Sequence, residues 1–149
     1  MREVLLIAGL FGLAGCADEA AENAAIAPSE MTEVEPEMVE DTSMDRRVMI
    51  GRDGPQMDAC GSMGRITAET PVRHAPNDAA PVGGTIKAGR PAIACDATKD
   101  GAWLGIVYHP SIDDLNGCGT GSPVASEQPY RGACSSGWIR AEQYELTAG

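Results

Sequence analysis

Acidic side chains are concentrated in one part of this chain, and their position limits how much of it can fold. Residues 17–45 contain ten Asp and Glu residues, no Lys or Arg, and no aromatic residue. Such a composition cannot bury enough apolar surface to offset the entropy lost on ordering. Residues 46–149 carry eleven acidic and ten basic side chains and are nearly neutral. The sequence therefore predicts a disordered acidic tether that ends at residue 45 and one folded domain over 46–149.

This distribution of charge also bears on partners. The net charge of −11 belongs mainly to the tether, and the domain lacks a basic stripe that would displace the counterions of a nucleic acid. We therefore do not expect nucleic acid as a partner. The tether is interpreted as a solvated spacer with a mean span of about 30 Å. The alternative is an acidic segment that recruits a basic partner.

An uncharged apolar run lies near the beginning of the chain, at residues 4–13 (VLLIAGLFGL). It suits the core of a signal peptide and is shorter than the ~20 residues of a spanning helix. The residues that end it, 13–16 (LAGC), resemble the lipobox of bacterial lipoproteins. The resemblance implies a signal peptide over 1–15 and a lipidated Cys16, acylated with chains such as palmitate, as the new N-terminus. An ordinary secretory signal with an unmodified Cys16 is the alternative.

The residue after the lipobox cysteine bears on location. In Gram-negative lipoproteins, an Asp at this position is the usual signal for retention in the inner membrane, and this chain has Ala17. The resemblance therefore implies a periplasm-facing protein that is anchored to the outer membrane by its lipid.

The domain contains short apolar runs separated by Gly, Pro, Asn and Asp, which is the pattern of an all-β fold. The runs predict strands near 64–68, 71–74, 83–86, 92–96, 102–108, 136–140 and 144–147. Turn signals lie between them at 75–78, 87–89 and 98–101. No segment has the pattern of a long amphipathic helix, and 141–144 allows one short helical turn.

The order of these segments resembles that of the bacterial SH3 (SH3b) family. Four motifs occur in the order of the family: 72–77 (VRHAPN), 81–89 (PVGGTIKAG), 100–106 (DGAWLGI), and 137–140 (GWIR) followed by Tyr144 and Leu146. Together they cover most of residues 66–147. The resemblance implies a small SH3-like barrel with a core over about 60–147.

The chain differs from the family pattern over 108–136, where a typical domain has a short turn between its two Trp-bearing strands. Some exported lipoproteins of this type carry a cysteine-bearing insert at this place. Such an insert can cover or replace the usual ligand groove. We therefore expect a small barrel with a disulfide-clamped loop insert.

The number of cysteines is consistent with a protein that is exported to an oxidising compartment. If Cys16 is lipidated, an even number remains, which in an oxidising compartment indicates two disulfides among Cys60, Cys95, Cys118 and Cys134. Three pairings are possible, and we favour Cys118 with Cys134 and Cys60 with Cys95. The first would close the insert and contribute about 3 kcal/mol by the chain-entropy estimate. A site of four thiolates for a metal is the alternative, but the paired C-x-x-C spacing that it favours is absent.

Aromatic side chains are the candidates for ligand contact. SH3-type domains bind extended ligands in grooves lined by such rings, and the aromatic residues of the domain are Trp103, Tyr108, Tyr130, Trp138 and Tyr144. With so few aromatic residues, the two Trp side chains are also expected in the core. The tyrosines that flank the insert, Tyr108 and Tyr130, are expected on an exposed face.

No catalytic constellation is recognisable. His74 and His109 have no ligand spacing, the cysteines are assigned to disulfides, and a Cys–His peptidase domain would need about a hundred further residues. The glycines of 117–122 (GCGTGS) lack the Lys of a phosphate-binding loop. Asp113 and Asp114 lack the pattern of an EF-hand. We therefore expect no enzyme, no metal and no cofactor.

The sequence thus predicts a non-catalytic envelope lipoprotein with a monomeric SH3b-like domain. The resemblance implies that this domain binds cell-wall peptidoglycan or peptide ligands. The alternative is an interaction module that binds or inhibits an envelope protein through the 108–136 insert.

Overall fold

The computed structural model describes residues 43–148, and these residues form an all-β domain, as predicted. The predicted signal peptide, the lipidation site Cys16 and nearly all of the tether lie outside the described residues. The strands are β1 (Met49–Ile50), β2 (Ser62–Ile66), β3 (Thr70–Arg73), β4 (Val82–Ile86), β5 (Pro91–Ala97), β6 (Trp103–Tyr108), β7 (Gln128–Pro129), β8 (Ser135–Arg140) and β9 (Tyr144–Ala148). All seven strands predicted from the sequence are present. Two 3₁₀ turns, Asn116–Cys118 and Ala141–Gln143, are the helical elements of the described region.

Seven strands form one sheet in the order β4-β3-β8-β6-β5-β2-β9, and every neighbouring pair is antiparallel. The edge strands β4 and β9 do not pair with each other, so the sheet is open and the closed SH3-like barrel is not confirmed. A separate two-stranded ribbon consists of β1 and β7. Neither of these two-residue strands was predicted from the sequence.

The predicted turns lie between the strands, and two of them depend on glycine. Gly89 ends the β4–β5 turn with φ 78°, and Gly101 lies in the β5–β6 turn with φ 70°. Side chains other than glycine rarely adopt this left-handed conformation. These glycines explain why the turns at residues 87–89 and 98–101 could be predicted from the sequence.

The central strand β6 shows that both faces of the sheet are buried. Ile106 and Tyr108 point to the inner core, together with Ile66, Val72, Ile86, Ala92 and Ile139. Trp103 and Val107, which alternate with them along the strand, point to the opposite face. A strand buried on both faces reads as a continuous apolar run, as WLGIVY does here.

The second face is covered by chain that precedes β2 and by the insert. Two groups of side chains pack on Ile93 and Val107 of the sheet. The first segment supplies Ile50, Ala59 and Cys60, and the insert supplies Leu115, Cys118 and Tyr130. Backbone bonds join the two covering segments, such as Cys60 N–H to Thr120 O at 3.1 Å and Tyr130 N–H to Val48 O at 2.9 Å. The insert is therefore part of the folded domain.

Both disulfides lie in this second core, with the predicted pairing. Cys60 is bonded to Cys95 of β5, and Cys118 is bonded to Cys134 within the insert. The first bond fastens the segment before β2 to the centre of the sheet. The second closes the insert next to β8, where its backbone re-enters the sheet.

Candidate functional site

A groove of about 210 Å³ lies on the face of the sheet that carries the two tryptophans. It is lined by Glu69, Thr70, Pro71, Arg73, Asp78, Trp103, Arg140 and Gln143. Two guanidinium groups and two carboxylates thus line the same groove as one indole ring. Such a groove has little net charge and offers hydrogen-bonding groups of both kinds, which suits a zwitterionic or peptide ligand more than a uniformly charged polymer.

Arg140 is held over the ring of Trp103 by the register of the sheet. Trp103 of β6 and Arg140 of β8 are directly paired, and the guanidinium carbon lies 4.2 Å from the ring centroid. This is a cation–π arrangement, which is attractive because the face of the ring is electron-rich. The pKa of Asp100 is lowered mainly by the hydrogen bonds from Thr98 and from the backbone of Ala102, and the charge of Arg140 contributes least.

The loop between β3 and β4 contributes Asp78 to the lining of the groove. Asp78 forms an ion pair with Nη2 of Arg140. Arg73 of β3 donates from Nη1 to the backbone oxygen of Ala80 at 2.9 Å and so ties this loop to the sheet. The groove is therefore formed by the strands β3, β6 and β8, the β3–β4 loop, and two residues next to these strands, Glu69 and Gln143.

A second cleft, of about 440 Å³, lies between the insert and the strands β2 and β5. Its lining includes Met63, Pro91 and Ile93 of the sheet and residues 113–116 and 119–122 of the insert. Arg90 fixes the near side of the insert: it donates to the backbone oxygens of His109 and Ile112 and forms an ion pair with Asp113 at 3.0 Å. Met63 is 45% exposed and lies at the open edge of this cleft.

The five predicted aromatic residues are not brought together in one site. Trp103 lines the charged groove, whereas Trp138 is fully buried beside Val48, with Nε1 donating to the backbone oxygen of Arg46 at 2.6 Å. Both tryptophans are core residues, as expected from their scarcity. Tyr144 is half-buried and its hydroxyl reaches the backbone oxygen of Ser62 at 2.9 Å. Burial raises its pKa to about 12.

The expectation that Tyr108 and Tyr130 lie on an exposed face is wrong, because both are buried. Tyr108 packs in the inner core, and burial raises the pKa of its phenol. Tyr130 donates to the backbone oxygen of Cys118 at 2.8 Å and accepts from the N–H of Cys134 at 3.1 Å. It therefore organises the disulfide loop from within and has a raised pKa, again because of burial.

The remaining sequence candidates have local structural contacts. His109 accepts at Nδ1 from the N–H groups of Ser111 and Ile112 at 3.1 and 3.2 Å. Asp114 accepts from the N–H of Asn116 at 2.9 Å, as in an Asx turn. Over residues 43–148, no group of three or more His, Cys, Asp or Glu side chains is placed to hold a metal ion.

Sequence reasoning did not identify Arg140, Arg73 and Asp78 as site residues. Arg140 is two residues after Trp138 in the same strand, which places both side chains on one face. That alternation was the only signal in the sequence. The position of Arg140 over Trp103 follows from the pairing of β6 with β8, two strands that are far apart along the chain.

No family model, no curated protein and no solved structure matches this chain. No helix within the described range has the length and apolar character of a membrane span.

Proposed function

We propose that this protein is a non-catalytic, lipid-anchored envelope protein whose SH3b-like domain binds peptides of the bacterial cell wall in the groove beside Trp103. The observation that carries the proposal is the arrangement of Arg140 over the indole ring, with Arg73, Asp78 and Glu69 around it. Stem peptides of peptidoglycan carry both carboxylates and amines. A groove with two cations and two anions is complementary to such a ligand.

The sequence pattern supports the same proposal. The motifs that resemble the SH3b family correspond to β3, β4, β6, β8 and β9 of the sheet, and the groove is lined by residues of three of these motifs. A lipid on Cys16 and a tether of about thirty residues would hold the domain near the wall at high effective concentration. Location at the periplasmic side of the outer membrane follows from the lipobox resemblance and is part of the proposal.

Co-sedimentation of the isolated domain, residues 43–149 with both disulfides formed, with purified peptidoglycan sacculi tests the proposal. We expect saturable binding that weakens in Arg140→Gln. The matched control is Arg65→Gln, which removes the same charge from an exposed Arg that donates one hydrogen bond, to Gly89. Equal binding of both variants, or no binding of the wild-type domain at any salt concentration, would contradict the proposal.

An envelope protein as the ligand is the second candidate, and the cleft beside the insert favours it. Met63 and Ile112 are 45% and 51% exposed, and the acidic Asp113 and Asp114 lie close by. This surface fits a partner that presents an apolar side chain next to a basic group. The insert would then supply the specificity, as expected for an inhibitor or an assembly accessory.

Substitution at the cleft distinguishes the two candidates. Met63→Glu should abolish crosslinking to one defined envelope protein and leave sedimentation with sacculi unchanged. Leu146→Glu is the control, since Leu146 is an exposed apolar residue like Met63, lies on the edge strand β9 and is absent from the cleft lining. If both variants crosslink like the wild type, the cleft that Met63 lines is not the binding surface.

A further inference from the structure

The guanidinium group of Arg140 has one fixed side and one available side. The ring of Trp103 lies against it, and this ring is itself held by packing with Val48 and Trp138. The side chain of Arg140 is nevertheless 41% exposed. A planar cation is therefore presented at the groove in a set orientation, and little rotamer entropy remains to be lost when a ligand binds.

The contacts of Arg140 leave capacity for a ligand. Its guanidinium carries five N–H donors, and among residues 43–148 its side chain donates from Nη2 to Asp78. A carboxylate can accept two parallel hydrogen bonds from a guanidinium, which makes the pair specific in geometry and stronger than a neutral hydrogen bond. Arg140 is thus suited to bind a carboxylate end-on or side-on.

In the domain itself, the carboxylate bound by Arg140 is that of Asp78. Its side chain is 67% exposed on the β3–β4 loop. Ion pairs of such exposure contribute little to stability, because both groups are well solvated when apart. A carboxylate from a ligand can therefore replace Asp78 at small cost in folding free energy.

We propose that Arg140 is the carboxylate-recognition residue of the groove and that Asp78 is its internal competitor. The ligand class is a short peptide with a free carboxylate, whose neighbouring amide or amine groups meet Thr70, Gln143 and Glu69 on the groove wall. This inference rests on the proposed function of the same groove. It adds that the recognised group is a carboxylate and that the Asp78–Arg140 ion pair lowers the affinity for it.

The test uses N-acetyl-D-Ala-D-Ala and its C-terminal amide as matched probes in an NMR titration of the isotope-labelled domain. The carboxylate probe should shift the side-chain signals of Arg140 and Trp103, and the amide should bind at least about tenfold more weakly. Arg140→Lys keeps the charge and loses the planar fork, and should also weaken the carboxylate probe about tenfold.

Asp78→Asn is the decisive variant. Removing the competitor should tighten binding of the carboxylate probe about two- to fivefold, the range that the strength of an exposed ion pair allows. The control is Asp113→Asn, since Asp113 is 69% exposed and pairs with Arg90 outside the groove. It removes the same charge and should leave the affinity unchanged.

Several results would overturn the inference. These are equal binding of the acid and the amide, equal effects of Asp78→Asn and Asp113→Asn, or sedimentation with sacculi that is intact while neither probe binds. The last result leaves the wall-binding function standing. Conversely, if both probes behave as expected and sacculi do not bind either the wild type or Asp78→Asn, the carboxylate site is supported and the wall-binding function is wrong.

Discussion

The buried carboxylate of Asp96 in β5 accepts a hydrogen bond from the backbone N–H of Met49, 47 residues earlier in the chain, at 3.1 Å. The same carboxylate accepts from the N–H of Ala97 at 2.8 Å and forms an ion pair with Arg52, while Arg46 lies 3.9 Å away. One side chain thus joins the segment before β2 to the central sheet. That segment in turn supplies Val48, which packs with Trp138, and Ile50, which belongs to the second core. The packing on this face of the sheet therefore depends on Asp96.

Asp96→Ala should lower the free energy of unfolding by about 2–4 kcal/mol, because two backbone N–H groups and a guanidinium lose their partner. Asp96→Asn should cost less, since the amide oxygen still accepts one bond. Asp58→Ala is the control: Asp58 is exposed, and its loss should change stability by less than about 0.5 kcal/mol. Urea unfolding followed by Trp fluorescence measures all three. Equal stability of Asp96→Ala and Asp58→Ala would show that the carboxylate does not hold the segment.

The two disulfides should differ in what they stabilise. Replacing Cys118 and Cys134 by Ala opens a loop with a sequence separation of 16, and replacing Cys60 and Cys95 opens one of 35. Chain entropy predicts losses of about 3 and about 4 kcal/mol. Urea unfolding of the two double variants measures these values.

Hydrogen exchange separates the roles of the two bonds. Without the Cys118–Cys134 bond, protection should be lost mainly within the insert. Without the Cys60–Cys95 bond, protection should be lost over residues 46–60 in addition to the insert, because that segment is then tied to the sheet only by noncovalent contacts. Identical exchange patterns would contradict this assignment.

Much of the sheet was predictable because its signals are local. Each of the seven long strands is an apolar run bounded by turn residues, and glycines with positive φ mark the turns at 87–89 and 98–101. The strands β1 and β7 have two residues each and no pattern of their own. They exist because segments about eighty residues apart meet over the sheet. Whether edge strands close into a barrel is likewise a property of distant pairing, which local patterns do not encode.

The candidate site was less predictable for the same reason. In a hairpin, the turn fixes the register of its two strands, but the insert over 108–136 separates β6 from β8 and removes that constraint. The pairing of Trp103 with Arg140 could therefore not be read from the sequence. The burial of Tyr130 was missed because its partners, Cys118 and Cys134, become neighbours only after the loop closes.

Gly64 in β2 allows the last strand to approach closely. A Cβ at this position would lie 2.3 Å from the backbone oxygen of Glu145 and 2.4 Å from Cζ of Tyr144. Gly64→Ala should therefore displace β9 and cost about 1–3 kcal/mol, although Ala is otherwise better than Gly in a strand. Gly121→Ala is the control, because nothing lies within 4 Å of its Cβ position. Thermal unfolding of both variants measures the effect, and equal midpoints would show that β9 accommodates the methyl group.

The tyrosines make stability sensitive to alkaline pH. Burial raises the pKa of Tyr108, Tyr130 and Tyr144 above the usual 10.0, and that of Tyr144 to about 12, because the phenolate would lose hydration. A group whose pKa is higher in the folded state contributes stability that is complete below the unfolded value and is lost as the pH rises through the folded value. The tyrosine contribution should therefore be complete up to about pH 10, and urea unfolding should show a loss of stability between pH 10 and 12. Tyr144→Phe should reduce that decrease, and phenolate absorbance of the folded domain should titrate later than that of the denatured chain. Coincident titration curves would contradict the prediction.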